Sequence, residues 1–154
     1  MQGALASMTA DLHRPNGLCF SPDESKLYIA DSGALWGPTF DEDGAHHVMV
    51  CEVLSGGAGL SAPRVFANIP VGIPDGIRCD ERGNIWAACG DGVNVFAEGT
   101  GDLVLKILTP KTSANCCFGG EDGRELLITA NDKVWIVPTL VRGAVAAGLP
   151  GAKL

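Results

Sequence analysis

Pro74-Asp75-Gly76-Ile77-Arg78-Cys79, the turn Asp80-Glu81-Arg82-Gly83 and the run Asn84-Ile85-Trp86-Ala87-Ala88 form a pattern that the chain writes three times. The upstream copy is Pro15-Asn16-Gly17-Leu18-Cys19-Phe20, the turn Ser21-Pro22-Asp23-Glu24-Ser25, then Lys26-Leu27-Tyr28-Ile29-Ala30-Asp31. The downstream copy is Ala114-Asn115-Cys116-Cys117-Phe118, the turn Gly119-Gly120-Glu121-Asp122-Gly123, then Arg124-Glu125-Leu126-Leu127-Ile128-Thr129-Ala130. Each copy reads as a hairpin: a short apolar strand, a turn of Asp, Gly, Pro or Ser, and a second strand rich in β-branched and aromatic residues.

Further strand-like runs lie outside the hairpins. His47–Val53 and Arg64–Ala67 follow the first, Val93–Phe96 and Leu103–Ile107 the second, and Lys133–Val137 the third. Units of about four short antiparallel strands, spaced 59 residues from Asn16 to Asp75 and 40 from Asp75 to Asn115, have the pattern of propeller blades. The expected fold is therefore all-β, a partial propeller of about three blades. Blades are expected at 14–71, 72–112 and 113–142, with 1–13 closing a preceding blade and 143–154 a C-terminal tail. The insert Gly33–His46 and the turn Gly56-Gly57-Ala58-Gly59 read as surface loops.

Composition narrows the function. With 154 residues the chain is long enough for a core, and 21 glycines, about twice the usual share of ~7%, suit tight turns between short strands. A formal net charge of −7 repels polyanions, so nucleic acid is not an expected partner. No apolar run reaches the ~18 residues of a membrane span, so no membrane partner is expected. The first ten residues lack the basic opening and apolar stretch of a signal peptide, so a cytoplasmic location is the default expectation. The six cysteines have no C-x-x-C spacing and sit in or beside apolar runs, which reads as small core residues with free thiols. That includes the vicinal pair Cys116-Cys117, for which no activating base is visible.

In a propeller the residue ahead of each innermost strand faces the central channel, which would bring Asn16, Asp75 and Asn115 together. Oxygen donors round one axis suit a hard cation such as calcium better than a soft metal. The other reading is that Asn-Gly and Asp-Gly after Pro are turn dipeptides entering a strand through positive φ. Around them, His13 is near enough in sequence to Asn16 to reach the same rim as an acid or base, and Asp31 reads as a loop-fixing hydrogen-bond acceptor. His46-His47 and Asp41-Glu42-Asp43-Gly44 read as solvated loop segments, since the calcium-loop spacing is absent.

The motifs Arg14-Pro15-Asn16-Gly17-Leu18, Phe20-Ser21-Pro22-Asp23, Leu27–Asp31, Gly72-Ile73-Pro74-Asp75-Gly76-Ile77, Gly83-Asn84-Ile85-Trp86 and Gly90–Phe96 resemble the gluconolactonase / senescence marker protein (regucalcin) family. Asn115-Cys116-Cys117-Phe118-Gly119-Gly120 is similar to its fungal lactonohydrolase branch. The resemblance implies a six-bladed propeller with one divalent cation on its axis, calcium or alternatively zinc, and hydrolysis of sugar-type or related lactones. It implies Asn16 and Asp75 as metal ligands and Asp75 also as the catalytic base, with Asn115 a rim residue only. A further Glu ligand and the substrate-holding Asn and Arg of the family have no counterpart here. The chain is thus expected to be the C-terminal half of such a protein, with Gly3-Ala4-Leu5 the turn of an earlier blade. Open blade edges would allow self-association. The alternative to a lactonase is a non-catalytic propeller-fragment module for binding or assembly; a propeller hydrolase of phosphoesters shares the same metal logic.

Overall fold

The three copies of the repeat become three hairpins at the inner edges of three antiparallel sheets. The structure, a computed structural model, describes residues 5–9, 11–36, 39–57 and 59–144. Residues 3 and 4 of the expected early turn and the tail from 145 onward lie outside the described residues. Residues 5–9 and 11–13 carry no strand.

The first sheet comprises β1 (Pro15–Phe20), β2 (Lys26–Asp31), β5 (His47–Glu52) and β6 (Arg64–Asn68), paired in that order. Between β2 and β5 the insert folds into a small hairpin, β3 (Leu35–Trp36) with β4 (Thr39–Phe40). The second sheet runs β7 (Ile77–Cys79), β8 (Ile85–Cys89), β9 (Gly92–Phe96) and β10 (Leu103–Leu108). The third has β11 (Ser113–Gly119), β12 (Glu125–Ala130) and β13 (Lys133–Pro138). The insert is thus more than an open surface loop. Ala34 and Ala45 are buried, and the Ala34 N–H donates to Ala45 O at 2.6 Å. The Asp41–Gly44 segment is the solvated turn expected, with Asp43 N–H donating to the Asp41 carboxylate.

The hairpin turns share a backbone device. Glu24, Gly83 and Gly123, at matching places in the three turns, all take positive φ, at 57°, 88° and 73°. Glycine removes the steric cost at two of them.

The second sheet is the filling between the other two. Ile85, Ala87 and Cys89 of β8 pack with Tyr28, Ala30, Val48 and Val50 of the first sheet. Trp86 of β8, with Val93 and Val95 of β9, packs against Cys116, Phe118, Leu126 and Ile128 of the third. The Trp86 and Phe118 rings meet edge to face at 5.2 Å. Trp86 Nε1–H also donates to the Asp80 carboxylate at 3.0 Å. That carboxylate further accepts from the backbone N–H groups of Arg82 and Asn84, pinning the turn between β7 and β8.

All six cysteines are free, and four are fully buried. Cys117 departs from the expected core role: it is exposed, because consecutive residues of β11 face opposite ways and only Cys116 meets the second sheet. Among the described residues no helix is long and apolar enough to cross a membrane.

Candidate functional site

The leading strands of the three sheets, β1, β7 and β11, are neighbours, and their starts form one rim. The Gly17 N–H donates to Asp75 O at 3.1 Å, and the Gly76 N–H donates to Ala114 O at 2.9 Å. Backbone thus meets backbone from Asn16 through Asp75 to Asn115. A Cβ on Gly17 would run into the Asp75 carbonyl oxygen, and one on Gly76 into the Asn115 side chain. Neither glycine takes a positive φ. Their role is close approach between strands, not turn formation, and the turn-dipeptide alternative falls with that observation.

The side chains follow the backbones. Asn16 is exposed and Asp75 half-buried, and the Asn16 side chain is near enough to the Asp75 carboxyl to bear on its pKa. Burial pushes the Asp75 carboxyl above the ordinary aspartate range, and the neighbouring Asn16 amide pulls back part of that rise. Asn115 reaches the same rim, but its Oδ1 accepts the Cys116 N–H at 2.9 Å.

Behind the rim, Asp31 acts as the fastener expected of it. Its buried carboxylate accepts from the His13 N–H at 3.0 Å and the Arg14 N–H at 2.8 Å, fixing the lead-in to β1. His13 Nδ1 lies 3.3 Å from the same carboxylate, while the imidazole is otherwise exposed. Ser32, the next residue, was not singled out by sequence, yet its hydroxyl donates to Pro74 O at 2.5 Å and ties the first sheet to the loop bearing Asp75. An Asp-Ser pair ending a strand is the only signal that could have found it. The His46 and His47 rings lie 5.8 Å apart, tilted at 37°, and both residues are half-buried; His47 opens β5, and burial lowers its pKa.

One carboxylate and one side-chain amide on the same rim supply oxygen donors of the kind found at an edge of a hard cation's ligand shell. Calcium takes about six to eight oxygens, more than this rim holds. Among the described residues no three His, Cys, Asp or Glu side chains gather as a metal cluster.

The model of the family described as SMP-30/Gluconolactonase/LRE-like region matches residues 1–132. The chain belongs to this family. The gluconolactonase of Zymomonas mobilis is 34% identical over 149 residues, covering 92% of this chain and 39% of that protein. A solved gluconolactonase from Xanthomonas campestris superposes with a TM-score of 0.68 at 36% identity, over 84% of this chain and 39% of that one. The Agrobacterium tumefaciens regucalcin, described as a calcium-binding protein, shares the fold with a TM-score of 0.69 at 23% identity, over 92% of this chain and 50% of that one. This SMP-30/gluconolactonase-family chain therefore spans about two-fifths of the length of the gluconolactonases it matches.

Proposed function

We propose that the rim formed by Asn16 and Asp75 is the reacting edge of a cation-dependent lactone hydrolase, carried by three blades of an incomplete propeller. The observation that supports it most is the close approach of the two leading strands at Gly17 and Gly76, where the Gly17 N–H donates to Asp75 O and brings Asn16 and Asp75 to one rim. The family's gluconolactonase members point to the same substrate class.

Asn16 and Asp75 would hold the cation, calcium or alternatively zinc, which when bound polarises a lactone carbonyl and acidifies a water. The rest of the work falls to the chain's own groups. The Asp75 carboxylate accepts the proton of the attacking water, and its burial makes it a stronger base than a solvated aspartate. The Asn16 amide orients that carboxylate. Asp31 and Ser32 hold the two loops in register, so that neither residue has to be ordered during the reaction.

Acid release from glucono-1,5-lactone, followed in calcium with a pH indicator, tests this reading. Asp75→Asn should lower the rate about 100-fold or more, the share of a general base. An unchanged rate would rule Asp75 out as base.

One observation favours a second reading, a module that binds or assembles without catalysis. Leu127, Val134 and Ile136 stand exposed on the outer face of the third sheet, and among the described residues no strand pairs with the outer edge of β13. On that reading Asp75→Asn leaves self-association untouched while the chain shows no turnover.

A further inference from the structure

A cavity of about 260 Å³ opens beside Asn115, lined by Arg78, Thr129, Leu127 and Val134 as well as Asn115 itself. It is smaller than the usual ~300–1,000 Å³ of a whole-ligand cleft, the size for one end of a ligand. It adjoins the rim directly, because the Asn115 side chain lies against the α-carbon of Gly76, the neighbour of Asp75.

Its polar groups are the Asn115 amide, the Arg78 guanidinium and the Thr129 hydroxyl, which donates to Asn115 O. The Asn115 Oδ1 accepts the Cys116 N–H, and the Nδ2 amide has no hydrogen-bond acceptor among the described residues. Arg78 Nη1 donates to Ile77 O at 2.7 Å, which anchors the guanidinium. In a chain with 18 acidic and 11 basic residues, Arg78 has no carboxylate partner among the described residues. Its charge reaches across the leading strands: burial pushes the thiols of Cys19 and Cys116 up, and Arg78 draws both back.

We propose that this cavity is an oxyanion subsite, in which Arg78 and Asn115 seat a charged group at the far end of a sugar lactone or its product acid. A guanidinium with a free edge matches the planar or tetrahedral oxygens of carboxylate, sulfonate or phosphate. Arg78 follows Asp75 by three positions, a span of at most about 10 Å along the chain, which suits a six-carbon chain reacting at one end and charged at the other. As a substrate subsite it rests on the lactonase reading of the rim; as an anion site it stands alone.

Calorimetric titration of the full chain tests it with glucose 6-phosphate, glucose and inorganic phosphate. Glucose 6-phosphate should bind more tightly than inorganic phosphate, and glucose should give no heat. Arg78→Gln should weaken glucose 6-phosphate at least tenfold and Arg78→Lys less, with far-UV dichroism confirming that both variants fold. Asp75→Asn should retain the binding. Absent binding, binding indifferent to Arg78→Gln, or inorganic phosphate bound as tightly as the sugar phosphate would each overturn the proposal. A chain that binds glucose 6-phosphate through Arg78 yet hydrolyses no lactone would support the anion site while counting against the rim; lactone turnover without such binding would overturn this site alone.

Discussion

The second and third sheets are built from the same repeat, yet they live in different surroundings. In the second, every residue of β8 and β9 is buried, because sheets cover both faces. In the third, β12 alternates strictly between exposed and buried, because among the described residues only its inner face has a neighbour. Leu127 and Ile136, as apolar as anything in the core, stand 36% and 60% exposed. Apolar sequence is therefore not burial: position in the stack decides which face of a strand contributes to stability.

The contrast is broken most forcefully at two tryptophans. Trp86 fills the space between the second and third sheets, so Trp86→Ala should cost about 3–5 kcal/mol in urea unfolding. Trp135, on the outer strand and 37% exposed, should cost about 1 kcal/mol or less on the same change. Equal losses would mean that Trp135 is packed as fully as Trp86, against the exposure seen here. Next in size are the close approaches at the rim. Gly17→Ala and Gly76→Ala should each cost roughly 1–3 kcal/mol by overpacking, whereas Gly57→Ala, with open space around its Cβ position, should be milder despite its positive φ. Ser32→Ala removes one buried hydroxyl bond between the first and second sheets and should cost about 0.5–1.5 kcal/mol.

The smallest effect is a pH dependence at the edge of the first sheet. Burial alone would raise the Asp31 carboxyl, but the His13 and Arg14 N–H donors outweigh it and hold the pKa below the ordinary value. Ionised Asp31 therefore adds stability that is fully present above about pH 4 and lost as the pH falls through its folded value. Urea melts of the wild type and Asp31→Asn should converge toward low pH. A gap that widens on acidification would reverse the sign assigned here.

Much of this was legible in the sequence because the repeat carries turn chemistry and strand pattern together. The hairpins, the all-β class and the meeting of Asn16, Asp75 and Asn115 follow from aligning three copies. Other features were hidden for physical reasons. The exposure of Cys117 depends on which sheet faces have partners, which Cys-Cys in a strand cannot reveal. The β3–β4 hairpin is set by the burial of Ala34 and Ala45, two residues that look like any others in a Gly-rich insert. Ser32 works through a carbonyl 42 residues away, and Arg78 reads as an ordinary strand residue until Asn115 is placed beside it. The glycines of the P-N-G and P-D-G motifs fit both a turn and a strand contact, and only the backbone angles separate the two.

The central claim is that Asn16 and Asp75 together form a cation-binding edge, and thermal unfolding followed by far-UV circular dichroism tests it most directly. The wild type and the Asn16→Ala/Asp75→Ala double variant would be melted in chelator and again in millimolar calcium. The account predicts a rise in Tm with calcium for the wild type, as ligand binding to the folded state requires, and none for the double variant. A wild-type Tm indifferent to calcium, or an equal rise in both proteins, would contradict it.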